Sequence, residues 1–406
     1  MGNSESRNMK RPRVIIAGAG PIGLTAALLL GSKDIRVTIL EADDKISDAL
    51  RASTWHPPTL DMLAPYGLTD RMLAAGLLCP SWQIRMHPSG DRAVFDLSVL
   101  ADETDHPYRL QYEQSKYGQL VLDELGALPS VKIHFSTAVT GLRQAADTVT
   151  VLASSQGEER EFTADYVIGA DGARSAVRKA IDVELSGDIY PETTILATTL
   201  FPFHEWLEGL SNVSYCWKPS GTFSLLRLPG VWRASLYARE GQSIEQALTD
   251  EGLQDLLHDI IPETGPIEVL ESRPYRIHKR LASTYRQGRV FLVGDAAHLN
   301  SPSGGMGMNG GLHDAFNLTE KLVSVLQGDA DERVLDRYER QRRPIAEEEI
   351  IQQAHRNRTR MQERDKERRR EMLKDLQRTI NDPVKLKAYL MKSSMIDGLR
   401  RAAAAQ

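Results

Sequence analysis

Gly18, Gly20 and Gly23 form G-x-G-x-x-G within the stretch GAGPIG, and their chemistry is that of bare backbone. A residue without a side chain lets the chain turn tightly, lets a pyrophosphate approach the amide groups, and lets a helix seat closely on the preceding strand. The N-terminus of that helix turns unpaired N–H groups and the positive end of its dipole toward the phosphates. Glu41 follows 18 residues after Gly23, where a carboxylate can take the ribose hydroxyls of an adenine dinucleotide. An acidic rather than a basic residue there argues against a ribose 2′-phosphate.

For these groups to converge, Val14–Ala17 must be a buried strand, a helix must start near Pro21, and IRVTILEA must be a second strand ending on Glu41. Proline suits the first helical position because its missing N–H would have had no partner. The run from Val14 to Gly31 is apolar enough to mimic a membrane span, but GAGPIG breaks any single helix across it. The chain has 406 residues, 41% of them hydrophobic, and a net charge of −5. It reads as a globular protein of about two or three domains, with no overall field for nucleic acid or an anionic membrane. Cys79 and Cys216 stand far apart without a CxxC, which argues against a disulfide framework or zinc ribbon and for a reducing, cytoplasmic setting. The histidines form no HExxH and no tight His/Cys cluster, so no metal is expected. The polar leader fits a loose myristoylation pattern through Gly2 and Ser6, with a disordered segment as the favoured reading.

Two later signatures have the same strand-turn-helix form. In DYVIGADGARSAVRK a strand ends at Asp171-Gly172 and runs into a helix carrying Arg174, Ser175 and Arg178. In RVFLVGD a strand ends on Asp295, and the loop Ser301–Gly311 leads into a helix for which Asn309 reads as the N-cap. The order GxGxxG, DGxxSxxR, GDAAHxxxPxxGxGxN resembles the flavin-dependent aromatic hydroxylases of the p-hydroxybenzoate hydroxylase fold, over roughly residues 12–345. The resemblance implies an α/β protein. Its Rossmann-like FAD-binding domain would span 12–79, 108–185 and 274–345, and an inserted antiparallel-sheet substrate domain would span 80–107 and 186–273. A helical C-terminal segment, 346–406, would follow. It further implies FAD as cofactor, NADH or NADPH as transient electron donor without a fold of its own, and dioxygen and a small aromatic or N-heteroaromatic substrate, phenolic and in some cases carboxylated. The reaction would be hydroxylation through a flavin hydroperoxide. A flavin reductase without oxygen insertion and a non-catalytic redox sensor are the alternatives. Site residues implied in the same way are Arg51, Gln114, Asp171 and Asp295 toward the phosphate and ribityl region, and Val139 toward the adenine. Gly307, Met308 and Asn309 would lie at the flavin's pyrimidine side, and Pro302 beside its ring. Gln111 stands in a competing register for Gln114. Arg174 and Arg178 are expected to tie their own helix in place, and His298 is expected to be structural.

Residues 193–239 read as antiparallel strands separated by KPSG and PG turns, followed by a helix over 244–261. Alternation puts Val213, Tyr215 and Trp217 on one face, and Arg233, Ser235 and Tyr237 on one face of a later strand; one of these faces should roof the flavin. The resemblance makes Tyr215 a residue that helps to ionise a phenol, against its plainer reading as a packing tyrosine. From His355 to Asn381 the charges alternate around an apolar stripe of Met372, Leu376 and Ile380, which fits docking on the body or on a second copy in a homodimer.

Overall fold

The computed structural model describes residues 13–49, 51–262 and 264–405. Gly2 and Ser6 lie outside the described residues. The apolar run resolves as expected into the strand Val14–Ala17 and the helix Pro21–Gly31 with proline in its first turn. This strand sits at the centre of a parallel sheet, between Val37–Leu40, which ends next to Glu41, and Tyr166–Gly169, which leads to Asp171. Val290–Leu292 pairs in parallel with Tyr166–Gly169, so the three motif strands deliver their loops to the same edge of one sheet. All four strands are buried, as befits a parallel sheet covered on both faces.

The second sheet has eight strands and is largely antiparallel. Ser81–Met86 and Arg92–Asp96 extend it beyond Val213–Lys218, Gly221–Leu228 and Val231–Tyr237. Two long partners, Leu185–Thr199 and Val269–Ala282, run straight through the limits expected at 185/186 and 273/274. The Ala282 end of Val269–Ala282 also pairs with His298–Leu299, so the loop after Asp295 is stitched to the eight-stranded sheet.

The two faces considered separately from sequence are one. Tyr215 pairs across Ser224 to Ser235, and Val213 across Leu226 to Arg233. The opposite face, with Cys216, Phe223, Leu225, Ala234 and Leu236, is covered by Ile244–Ala247 and Asp250–His258, two helices where one was expected. Thr249 ends the first and caps the second through its side chain.

The charged C-terminal segment also divides, into Gln352–Gln362 and Lys366–Ile380, with Asp365 capping the second helix. Leu373 and Leu376 are buried in one cluster with Trp82, Phe95 and Trp217, and Met372 and Ile380 pack at its edge. The stripe is covered by the body of the same chain, so it no longer argues for a homodimer. Pro383–Ser393 and Ile396–Ala404 complete the layer. Among the described residues no helix is long and apolar enough to cross a membrane.

Candidate functional site: a glycine-lined cradle beside a buried cavity

The three glycines of the first turn are required for three different reasons. Gly18 has φ +100°, and a Cβ there would come within 2.6 Å of the Ala170 carbonyl oxygen. A Cβ on Gly23 would run into the Gly18 carbonyl oxygen, so the helix can lie on the turn only without one. A Cβ on Gly20, the helix N-cap, would meet nothing within 4 Å. The first two glycines satisfy the protein's own packing, and the third leaves open space in front of a helix N-terminus. Glu41 closes the turn from the side: its carboxylate accepts from the Ala19 amide at 2.5 Å and the Asp43 amide at 3.0 Å. Val139 lies beyond, at a bulge where the register with the neighbouring strand slips.

Asp171 caps the short helix Ala176–Ala180, with one oxygen accepting from the amides of Ala176 at 2.7 Å and Val177 at 3.1 Å; its other oxygen is buried without a partner. Ser175 adds a second cap to the same helix. Arg178 ties the motif down as expected, donating to the carbonyls of Ala173 and Ala296 at 2.9 Å. Through Ala296 it joins the Asp171 turn to the Asp295 turn. Arg174 does not share this role; it is exposed and makes no such bond.

Asp295 is both deep and open. Burial raises its carboxyl above the ordinary aspartate range, opposed by His298, Arg51 and His278. Yet the residue is exposed, and no described residue bonds its carboxylate. Tyr275 shares this setting: its hydroxyl is pushed up to about 12 by burial first and by Asp295 second, although 37% of the residue is accessible. Arg51 is exposed as well, and its carbonyl accepts from Arg233 of the substrate sheet at 2.5 Å.

The following loop departs from expectation at its end. The helix starts at Met306, not after Gly311, and Gly305 in the left-handed region is its N-cap. Asn309 is therefore not the cap. It lies in the first turn, where its side chain accepts from the His56 amide and Thr59 hydroxyl and donates to the carbonyls of Thr54 and Gly305, pinning the helix to a neighbouring strand and helix. The amides of Met306, Gly307 and Met308 belong to the first turn and have no intrahelical acceptor. Pro302 is exposed on the loop before them.

Under this loop lies a buried ionic support. Asp314 accepts from His298 at 2.8 Å, Arg342 at 2.7 Å and the Gly294 amide at 3.2 Å, and both side chains of the His298–Asp314 pair are fully buried. Burial alone would raise the Asp314 carboxyl, but Arg342 and His298 outweigh it and hold the group low. His298 is thus structural, as expected. His313, driven by burial to about 3, bonds Thr59 and is a neutral packing group.

Gln111 is ruled out as the open glutamine: its amide accepts from Ser53 and donates to Thr54, tying two strands together. Gln114 opens the helix Gln114–Gly126 and remains half-buried.

A cavity of about 30 Å³ lies where Ser303 and Gly304 meet the substrate sheet and the C-terminal helices. At ~10–15 Å³ per water it has room for about two to three waters. Tyr215 lines it, half-buried, edge-on to Trp82 at 6.0 Å. Arg109, Trp82, Arg360 and Tyr389 also line it. Sequence reading missed all four. No local signal marked them: Arg109 opens the short strand Arg109–Gln111, whose sequence RLQ has a single apolar residue.

The cradle fits an adenine dinucleotide carrying a ring: open space over Gly20, an unpartnered buried oxygen on Asp171, an exposed, unpartnered Asp295, and first-turn amides at Met306–Met308. Comparison with known proteins agrees. The family described as an FAD binding domain matches residues 11–354. The chain is 33% identical over 338 residues to the para-nitrophenol 4-monooxygenase of Pseudomonas sp. strain WBC-3, covering 82% of this chain and 83% of that one. It is 32% identical over 334 residues to the 6-hydroxy-3-succinoylpyridine 3-monooxygenase HspB of Pseudomonas putida, covering 82% and 84%. The crystal structure of p-nitrophenol 4-monooxygenase PnpA from Pseudomonas putida superposes with a TM-score of 0.89 at 31% identity, covering 96% of this chain and 98% of that one.

Proposed function

The chain belongs to the FAD-dependent aromatic hydroxylases, and on that premise we propose that it hydroxylates a small phenolic or hydroxylated N-heteroaromatic ring, held in the cavity against Ser303 and Gly304, with oxygen from dioxygen. The enzyme is a monooxygenase that uses FAD with NADH or NADPH as electron donor. When bound, FAD supplies the redox chemistry, accepting electrons from the nicotinamide and activating dioxygen.

The protein's part is to hold, orient and shield. Gly20 would give the pyrophosphate access to backbone amides on the turn that Gly18 and Gly23 shape, Glu41 would take the ribose hydroxyls, and Val139 would lie on the adenine side. Arg51, Gln114, Asp171 and Asp295 bind the diphosphate and ribityl chain. The first turn at Met306, Gly307 and Met308 stabilises negative charge on the ring, with Asn309 fixing that turn and Pro302 flanking it. Tyr215 hydrogen-bonds the substrate hydroxyl and favours its ionisation, which makes the ring carbon more electron-rich.

The observation that carries this reading is one loop with two faces. The segment from Asp295 to Asn309 has an unpartnered carboxylate and free amides on the cradle side, and Ser303 and Gly304 on the cavity side. The reading is tested by following flavin reduction by NADH and NADPH with and without 4-nitrophenol, 6-hydroxy-3-succinoylpyridine and 3-(3-hydroxyphenyl)propionate. At least one ring should accelerate reduction and be recovered hydroxylated; reduction indifferent to every ring would shift the reading to a reductase. Asp295→Ala should purify with less flavin than the parent, and full flavin content would remove Asp295 from the cofactor site.

A further inference from the structure

We propose that Arg109 is the residue that receives the substrate's anionic oxygen in this cavity. The proposal rests on the monooxygenase reading and narrows its substrate. Arg109 is 2% exposed, and its Nε and Nη1 have no hydrogen-bond partner. The other buried arginines among the described residues, Arg85, Arg178, Arg233, Arg342, Arg358 and Arg369, each donate to a carbonyl or carboxylate. Arg109 donates to neither.

Its surroundings leave the charge unmatched. The guanidinium lies 5.0 Å from the centre of the Trp82 ring; burial disfavours its charged form, and the chief opposing neighbours are Tyr215, which also hydrogen-bonds it, and Tyr389, none of them a carboxylate. Among the described residues no acid lines the cavity, whereas a second cation, Arg360, does, donating to the Tyr389 hydroxyl at 2.9 Å. Guanidinium stays protonated in proteins, so burial does not relieve the charge by neutralising it. A buried charge without a partner is costly, and an incoming anion recovers that cost. Guanidinium N–H groups suit an oxyanion, Nε and Nη1 are uncommitted among the described residues, and Tyr215, which hydrogen-bonds the same guanidinium, also lines the cavity.

Two sources share this chemistry: the ionised ring hydroxyl itself, or a carboxylate on a side chain of the ring. They are separated with the FAD-loaded parent, Arg109→Gln and Arg109→Lys. The probes are 4-nitrophenol, 3-phenylpropionate and neutral 3-phenylpropan-1-ol, with binding read from the flavin absorbance. Loss of the charged hydrogen bonds should weaken anion binding by roughly ten- to a hundredfold in Arg109→Gln, with Arg109→Lys intermediate. The neutral alcohol should change by no more than about twofold. The visible absorption of bound 4-nitrophenol reports its ionisation directly. If the parent binds it as phenolate at a pH where the free phenol is neutral, and Arg109→Gln abolishes that shift, the ring oxygen is the source. If only 3-phenylpropionate loses affinity, the source is the carboxylate. Equal losses for anionic and neutral probes, or no loss for either, would overturn the proposal. Flavin content and NAD(P)H-dependent reduction, measured in parallel, show whether the monooxygenase reading itself has failed.

Discussion

The nucleotide cradle and the substrate cavity are built from opposite materials. The first turn of the cradle is made of backbone, and each of its three glycines has a steric reason: Gly18 for its positive φ, Gly23 for the carbonyl beneath it, Gly20 for the space before the helix. The cavity is made of side chains from separate segments, with Trp82 on one strand, Arg109 on another, Tyr215 on a third, and Arg360 and Tyr389 on two C-terminal helices. A constant ligand can be bound by backbone, which constrains residue type. A variable ligand is selected by side chains, and their identity is free once the frame is set.

Four substitutions sharpen this contrast, taken from the largest effect to the smallest. Gly23→Val forces side-chain atoms into the backbone of the Gly18 turn. Overpacking against atoms that cannot rotate away should cost more than about 3 kcal/mol and leave little soluble, flavin-loaded protein. Asp314→Ala strands the buried Arg342 and His298 and should cost about 3–5 kcal/mol by denaturant titration. Because Asp314 is held below its unfolded-state value, the stability it confers is present above the ordinary aspartate range and is lost as pH falls through and below that range. Melting temperature against pH should show this acid limb in the parent and not in Asp314→Ala.

On the cavity side, Tyr215→Phe should retain flavin and lower turnover on the order of 10²-fold, with the deficit shrinking above the pH at which the substrate ionises unaided. A loss independent of pH would make Tyr215 a packing residue. Gly20→Ala should leave the stability of the flavin-free protein within about 0.5 kcal/mol, since its Cβ meets no protein atom, while weakening FAD affinity. If Gly20→Ala and Gly23→Val behaved alike, the division between packing glycines and a ligand-facing glycine would be wrong.

How far the sequence could be read follows the same division. The strand, turn and helix from Val14 to Gly31 were legible because glycine spacing and proline position have single structural explanations. The strand Val269–Ala282 was not, since Pro274 and a run of charges disguise it as loop; its pairing with Leu185–Thr199 on one side and His298–Leu299 on the other compensates. Asn309 was assigned as a cap because its residue type suits one, but Gly305 can adopt the left-handed conformation that starts the helix four residues earlier, and tertiary hydrogen bonds claim the asparagine. Arg109 escaped notice because nothing local distinguishes a buried, unmatched arginine from a solvated one. Only the convergence of distant segments removes its water.

If the proposed function holds, the cradle and the cavity together place one atom of dioxygen on a ring. The most direct measurement is the isotopic composition of the product when the FAD-loaded enzyme turns over an accelerating ring, such as 4-nitrophenol, with NADH or NADPH under ¹⁸O₂. The account predicts one labelled oxygen in the hydroxylated ring for each nicotinamide oxidised. Nicotinamide oxidation in which all the labelled oxygen leaves as hydrogen peroxide, with every ring recovered unchanged, would contradict it.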